Sequence, residues 1–296
     1  MTFSGISAAQ SLNGFDLSQL TIDASEVFSG GPPRDGIPSI DDPQFISVNQ
    51  VNYLQDDDLL LTLQRGETVR AYPFRILIWH EIVNDVIGGD AVAVTYCPLC
   101  GTGMVFDSFS GESQLSFGVS GLLYRSDVLM YDRETDSLWS QLAMEAVSGP
   151  NVGTELTWLP AEHMNWAAFK NRYPDGQVLS TDTGYSRNYS ANAYDSYFAS
   201  EETIFPVPHT RTELPNKTKV LGVLIGNEAS AYPLTELAEF GKLEQTISSQ
   251  KVSIRYQSEA GNPLVVNELG EVLPSVVVFW FAWQAFYPGT ELWRQP

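Results

Sequence analysis

Apolar runs along the chain predict a protein with many β-strands. The stretch "LLLTLQ" at 59–64 is typical of a strand, and Gly66 suits the turn that follows it. Farther along, "AVAVTY" at 91–96 alternates as a strand of a sheet does. Frequent glycine and proline between such runs indicate frequent turns, so we expect mainly antiparallel sheet.

One apolar stretch predicts a helix instead. Residues 74–87, "FRILIWHEIVNDVI", carry apolar side chains at helical spacing and are followed by Gly88 and Gly89, which suit a helix end. The apolar stripe consists of Trp79, Ile82, Val83 and Val86.

The most informative pattern is a repeat within the chain. The stretch "GETVRAYPFRIL" from Gly66 resembles "GNEASAYPLTEL" from Gly226, and "AVAVTY" resembles "KVSIRY" at the same separation of 160 residues. A constant separation over several matches predicts an internal duplication.

These patterns predict four segments. We expect an extended N-terminal arm (1–44), a first repeat (45–150), an inserted helix with a polar loop (151–200), and a second, degenerate repeat (201–296). The predicted fold class is α+β: mainly antiparallel β with a few helices, built from two duplicated half-domains.

Charge narrows the range of partners. The chain has 16 Lys and Arg against 36 Asp and Glu, a net charge of −20. Such an acidic surface repels phosphate backbones, so nucleic-acid binding is disfavoured. No apolar run reaches the roughly 18 residues that a transmembrane helix needs.

The only two cysteines, Cys97 and Cys100, lie in "TYCPLCGTG" directly after a predicted strand. Two thiolates on one tight turn, with Gly101 suiting a positive φ, can bind zinc or copper if His, Asp or Glu completes the site. A redox pair is the alternative. However, thioredoxin-like motifs continue into a helix, whereas Gly101 and Gly103 here precede a strand-like run. In the third interpretation, the two cysteines form a structural disulfide or remain as inert buried thiols.

The repeat sets part of this region apart. Cys97, Cys100, His80 and Glu81 correspond to Gln257, Ala260, Phe240 and Gly241 in the second copy. The second copy keeps the surrounding pattern but lacks these four side chains. If they served only the fold, both copies would need them, so their presence in one copy indicates a function specific to the first copy. His80 is therefore the predicted third metal ligand. In the redox alternative Cys97 and Cys100 react, with Glu81 or His80 as the proton-transfer partner.

Two further acidic residues are predicted to form ion pairs rather than a functional site. Asp127 and Asp132 are expected on one strand, in ion pairs with Arg125 and Arg133.

Two further histidines, His163 in the predicted inserted helix and His209 in "VPHTRTE", are expected at the surface.

Three long stretches together resemble a known family, the domain-of-unknown-function family 3179. They are "YPFRILIWHEIVNDVIGGDAVAVTYCPLCGTGMVFD", "FGVSGLLYRSDVLMYDRETDSLWSQ" and "FWFAWQAFYPGTELW". The resemblance covers nearly the whole chain and supplies no reaction. Because members are often exported or lipid-anchored, it implies an extracytoplasmic (periplasmic or cell-surface) setting.

The residues thus favour a protein that binds a copper or zinc ion through Cys97, Cys100 and His80, in the extracytoplasmic setting that the family resemblance implies. The alternative is a thiol-disulfide oxidoreductase that uses Cys97 and Cys100, and a structural or interaction module is third. The expected partner is a metal ion or a small molecule.

Overall fold

The chain folds mostly as β-sheet. The computed structural model describes residues 11–111, 113–208 and 211–296. Strands account for 42% of the protein and helices for 13%, and the larger sheets are arranged as a five-bladed β-propeller.

The described residues form short strands and a few helices of four to seven residues. The strands are β1 (Ser11–Leu12), β2 (Phe15–Asp16), β3 (Val27–Ser29), β4 (Phe45–Ser47), β5 (Leu59–Arg65), β6 (Thr68–Pro73), β7 (Ile82–Ile87), β8 (Asp90–Cys97), β9 (Thr102–Asp107), β10 (Phe109–Ser110), β11 (Ser113–Gln114), β12 (Phe117–Tyr124), β13 (Asp127–Asp132), β14 (Leu138–Ser140), β15 (Glu145–Ser148), β16 (Trp158–Leu159), β17 (Glu162–Asn165), β18 (Gln177–Leu179), β19 (Lys219–Ile225), β20 (Glu228–Pro233), β21 (Lys242–Ile247), β22 (Gln250–Gln257), β23 (Asn262–Asn267), β24 (Val276–Phe279) and β25 (Glu291–Leu292). The α-helices are α1 (Phe74–His80), α2 (Trp166–Arg172), α3 (Asp195–Phe198), α4 (Leu234–Phe240) and α5 (Trp280–Phe286).

Five sheets of three to five strands make the blades. In order across each sheet they are sheet I (β15-β14-β13-β12-β3), sheet II (β16-β9-β8-β7), sheet III (β17-β5-β6-β18-β4), sheet IV (β24-β19-β20-β25) and sheet V (β21-β22-β23). Most neighbouring strands are antiparallel, as predicted, and β18 with β6 and β20 with β25 pair in parallel.

The predicted α+β fold of two half-domains is wrong. The run from β5 to β9 with α1 does have the same element order as the run from β19 to β23 with α4, and their bounds lie 160 residues apart. Each run, however, divides between two blades, since its first two strands join one sheet and its last three join another. The half-domains therefore do not exist as separate units, and the duplication stays a prediction.

The predicted helix over 74–87 is also wrong in its second half. Helix α1 ends at His80, and Ile82–Ile87 is strand β7, paired with β8. The chain reverses at Glu81, whose φ of +59° and ψ of −30° cannot continue a right-handed helix. Gly88 and Gly89, with φ of +64° and +98°, form the two-residue turn of a β-hairpin rather than a helix end.

The N-terminal arm is partly built into the propeller. Strand β3 adds to the edge of β12, and Ile40 forms a bridge with Val83 of β7. In the described part of the chain, no helix has the length and apolarity that a membrane crossing needs.

The largest apolar cluster lies beneath the cysteine turn. It includes both cysteines, Met104, Trp139 and Trp280, all at most 1% exposed. Strands of sheets I, II and IV contribute to this cluster, so burial fixes the turn against three blades.

Glu81 occupies a backbone conformation that favours glycine, and its counterpart Gly241 has φ +83° and ψ −54°. We predict that the free energy of unfolding of the Glu81→Gly variant is about 1 kcal/mol higher than that of the Glu81→Ala variant, because only glycine relieves the backbone strain. Chemical denaturation of both variants checks this. Gly241→Ala serves as the matched control and should lose stability; an alanine variant at 81 as stable as the glycine variant would contradict the assignment of strain.

Candidate metal centre

The cysteine turn connects β8 to β9. Cys97 pairs with Thr102 across the hairpin, and Cys100 lies within the connecting turn. Gly101 closes this turn at φ +66°, as its position in the sequence predicts. The strand that follows excludes the helix of a thioredoxin-like site. Both cysteines are free, and their exposures are 1% and 0%.

A second tight turn meets the first. Arg125 and Ser126 connect β12 to β13, with φ of +53° and +67°. Two successive positive φ values are those of a two-residue hairpin turn that usually contains Asn and Gly. Here Arg125 is held from outside, by an ion pair with Glu26 (2.6 Å) and a hydrogen bond to Ala285 O (2.7 Å).

This second turn presents oxygen atoms to the sulfurs. Cys97 Sγ and Cys100 Sγ donate to Ser126 O at 3.7 and 3.2 Å. Asp127 follows directly and is fully buried. The two sulfurs and a carboxylate oxygen of Asp127 all lie within 4.8 Å of one another.

One oxygen of Asp127 lacks a partner. Oδ2 accepts a hydrogen bond from Leu142 N at 3.0 Å, whereas Oδ1 is buried and accepts none from the described residues. Leaving a buried polar atom unpaired costs about 1–3 kcal/mol, so such an atom in a native protein indicates a missing ligand or a functional role.

Glu81 adds a fourth acidic group. Its side chain is 7% exposed, and its carboxyl interacts electrostatically with Asp127 and Cys97. Burial, together with Asp127, raises the pKa of Glu81 to about 8, and burial raises the pKa of Asp127 to about 7. Burial also raises the pKa of Cys97 and of Cys100. The carboxyls of Asp127 and Glu81 add to the raised pKa of Cys97, and Cys97 and Asp127 add to that of Cys100.

No cation within the described ranges compensates these groups. Arg125, the nearest in sequence, is directed to Glu26, and neither Glu81 nor Asp127 forms an ion pair in the described part of the chain. The thiols and the carboxyls are therefore held toward their neutral forms. A bound cation would reverse this preference.

Tyrosines enclose the site. Tyr197 donates to Leu99 O, inside the cysteine turn, at 2.8 Å. Burial raises the pKa of Tyr96, Tyr194 and Tyr197, and the cysteines contribute to each shift. Tyr194 and Tyr197 belong to the polar loop of the inserted segment, whose role at the site carries no local sequence signal.

The structure places His80 away from the sulfurs. Nδ1 donates to Pro38 O at 2.8 Å, so the carbonyl fixes the tautomer and Nε2 accepts from Tyr189 OH at 2.7 Å. Both ring nitrogens are thus occupied, and burial lowers the pKa of His80. Of the predicted site residues, Cys97, Cys100 and Glu81 are brought together. Asp127 takes the position beside the sulfurs that was expected for His80.

The predicted ion pairs of Asp127 and Asp132 are wrong. Arg133 lies 3.4 Å from Asp35 and 3.5 Å from Asp41, while Arg125 pairs with Glu26. Asp132 accepts instead from Trp139 Nε1 at 2.8 Å. Asp127 is the member of the candidate site that the sequence did not predict, since its neighbours at the site come from a different blade.

His163 is buried, not at the surface as predicted. It belongs to β17, packs against Phe74, and its Nε2 lies 3.4 Å from Gly103 O. The other histidine expected at the surface, His209, lies outside the described residues.

A family model matches residues 34–272, which include both turns of the site. The model is described as protein of unknown function (DUF3179). The chain belongs to this family. No curated protein and no solved structure shows significant similarity to the chain.

Burial lowers the pKa of His163 to about 4. Because the unfolded chain binds a proton near pH 6.5, stability that is present above this pH is lost as pH falls toward 4. We predict that His163→Gln reduces the loss of unfolding free energy between pH 7.5 and 5 by roughly 2 kcal/mol. Denaturant titrations at the two pH values check this. An unchanged difference between them would contradict a neutral, buried His163.

Proposed function

We propose that this protein binds a metal ion through Cys97, Cys100 and Asp127. The observation that carries the proposal is the group formed by the two free sulfurs and a carboxylate oxygen, all within 4.8 Å of one another. Ligands at zinc distances in a tetrahedral arrangement lie about 3.8 Å apart, so the three atoms need to move by only about 1 Å.

Electrostatics supports a cation at this place. Ionisation of the buried thiols and carboxyls costs free energy, because no counter-charge from the described residues lies beside them. A bound cation lowers this cost. The unpaired Asp127 Oδ1 is supplied with a partner in the same step. Binding would release protons from the thiols, because metal ligands must be deprotonated.

The donor set favours zinc over copper(I). Thiolates suit both metals, whereas a carboxylate is a hard ligand that zinc accepts and copper(I) does not favour. Three protein ligands are also the number found in zinc sites that keep a position for water or substrate. Glu81 lies beside these ligands as an additional carboxyl, which can hold or release a proton.

Thiol-disulfide exchange is the second candidate, supported by the free state and closeness of the two cysteines. Against it stands the raised pKa of both thiols, since the thiolate is the reactive form. The extracytoplasmic location stays a proposal that rests on the family resemblance.

We predict that protein purified without chelator binds one zinc ion per chain, and that Cys97→Ser and Asp127→Asn each weaken binding by more than about 100-fold. Loss of a direct ligand should exceed the 10–100-fold effect of removing a supporting residue. Competition with a chromophoric chelator measures these affinities.

His80→Gln is the matched control for the ligand set. It should keep the zinc stoichiometry, because the His80 nitrogens bond to Pro38 and Tyr189. If His80→Gln loses zinc while Asp127→Asn keeps it, with both variants folded by circular dichroism, the proposed ligand set is wrong. A wild-type protein free of metal, with a reversible disulfide, would favour the redox candidate.

A further inference from the structure

A cavity of about 520 Å³ adjoins the cysteine turn. Tyr96 and Gly101, which flank the two cysteines, line its wall. The rest of the lining comes from helix α1, from sheets III and IV with the residues just before β5 and β19, from the loop around Tyr189, and from Phe198. A volume of this size suits a small organic molecule.

Aromatic side chains form much of the wall. Phe74, Phe198 and Phe279 line the cavity, and Phe198 meets Phe279 edge to face with ring centroids 6.2 Å apart. Phe74 packs against Tyr96 at 4.8 Å. Such walls favour a ligand with a flat or apolar body.

The charges of the lining differ from those of the whole protein. The cations are Lys217, Lys219 and Arg75, against the carboxylates of Asp57 and Asp58. The cavity thus carries a net charge of about +1 in a chain of net charge −20, and its histidine, His163, stays neutral. The positive sign of the lining favours an anionic ligand over a cationic one.

Lys219 is the cation that remains available. Arg75 pairs with Asp58 at 2.6 Å, and Lys217 Nζ donates to Ser200 O at 2.8 Å and to Tyr197 O. Lys219 is accessible, and among the described residues its ammonium group has neither an ion pair nor a hydrogen bond. Desolvation of the Lys219 ammonium group lowers its pKa, and no carboxylate in the described part of the chain offsets this shift.

We infer that this cavity binds a small organic anion, with its carboxylate or phosphate on Lys219 and its apolar body between Phe74 and Phe279. The cavity and the cysteine turn share Tyr96 and Gly101, so the ligand would lie next to the candidate metal centre. The idea that this ligand is the substrate of the metal centre rests on the proposed function. The binding of the ligand to the cavity does not.

The test uses the full chain after chelator treatment, so that its outcome is independent of zinc. The probe is 8-anilinonaphthalene-1-sulfonate, an aromatic anion whose fluorescence rises in apolar sites. We expect one site, displaced by phenyl phosphate but not by benzylamine. Equal displacement by both competitors would overturn the inference, because the site would not recognise an anion.

Two pairs of variants locate the site. Lys219→Gln should weaken the probe about tenfold or more through loss of a charged partner, whereas Lys251→Gln, at an exposed lysine of β22, should not. Leu59→Glu, at the cavity mouth, should weaken it similarly, whereas Leu269→Glu, at an exposed leucine away from the cavity, should not. Unchanged affinity for the probe in Lys219→Gln and Leu59→Glu would overturn the proposed anion site. A failure of the protein to bind zinc, without a change in probe binding, would leave the anion site intact.

Discussion

Two thiols and two carboxyl groups are buried together in this protein, and no cation of the described residues faces them. The electrostatic cost of this arrangement is the constraint on which the rest of the account depends. In the absence of a metal, the cost appears as raised pKa values for Glu81, Asp127 and both cysteines. A bound cation would offset this cost, with Cys97, Cys100 and Asp127 as its ligands and Glu81 beside them.

The propeller maintains this arrangement through tight turns rather than through one rigid helix. The turn of Cys97 to Cys100 belongs to sheet II, and the turn of Arg125 and Ser126 belongs to sheet I. Their contact is fixed by the apolar cluster beneath them and by the bonds of Arg125 to Glu26 and Ala285. Positive φ values at Glu81, Arg125 and Ser126 place backbone strain at the site, where strain is commonly functional.

The sequence located part of the site because its signal is local. Two cysteines in one turn, followed by glycines, predict a tight turn without further information. Comparison with the similar stretch 160 residues downstream singled out Glu81. Its counterpart Gly241 also contained the signal for the chain reversal, since a glycine there indicates a positive φ. The helix prediction failed because apolar residues at 79, 82, 83 and 86 fit a helical period as well as they fit a helix followed by a strand.

Asp127 could not be found in this way. Its contact with the cysteines depends on how sheet I packs against sheet II, and no periodicity along the chain encodes the packing of two blades. The same holds for the fold, because the division of the runs β5–β9 and β19–β23 between two sheets each is a long-range property. His80 was a reasonable ligand from its place in the sequence, but the carbonyl of Pro38 and the hydroxyl of Tyr189 occupy its nitrogens.

Zinc K-edge X-ray absorption of protein loaded with one equivalent of zinc tests the central claim most directly. We expect two sulfur neighbours at about 2.3 Å and oxygen neighbours at about 2.0–2.2 Å, without the scattering pattern of an imidazole ring. A spectrum that lacks sulfur, or that contains histidine scattering, would contradict coordination by Cys97, Cys100 and Asp127.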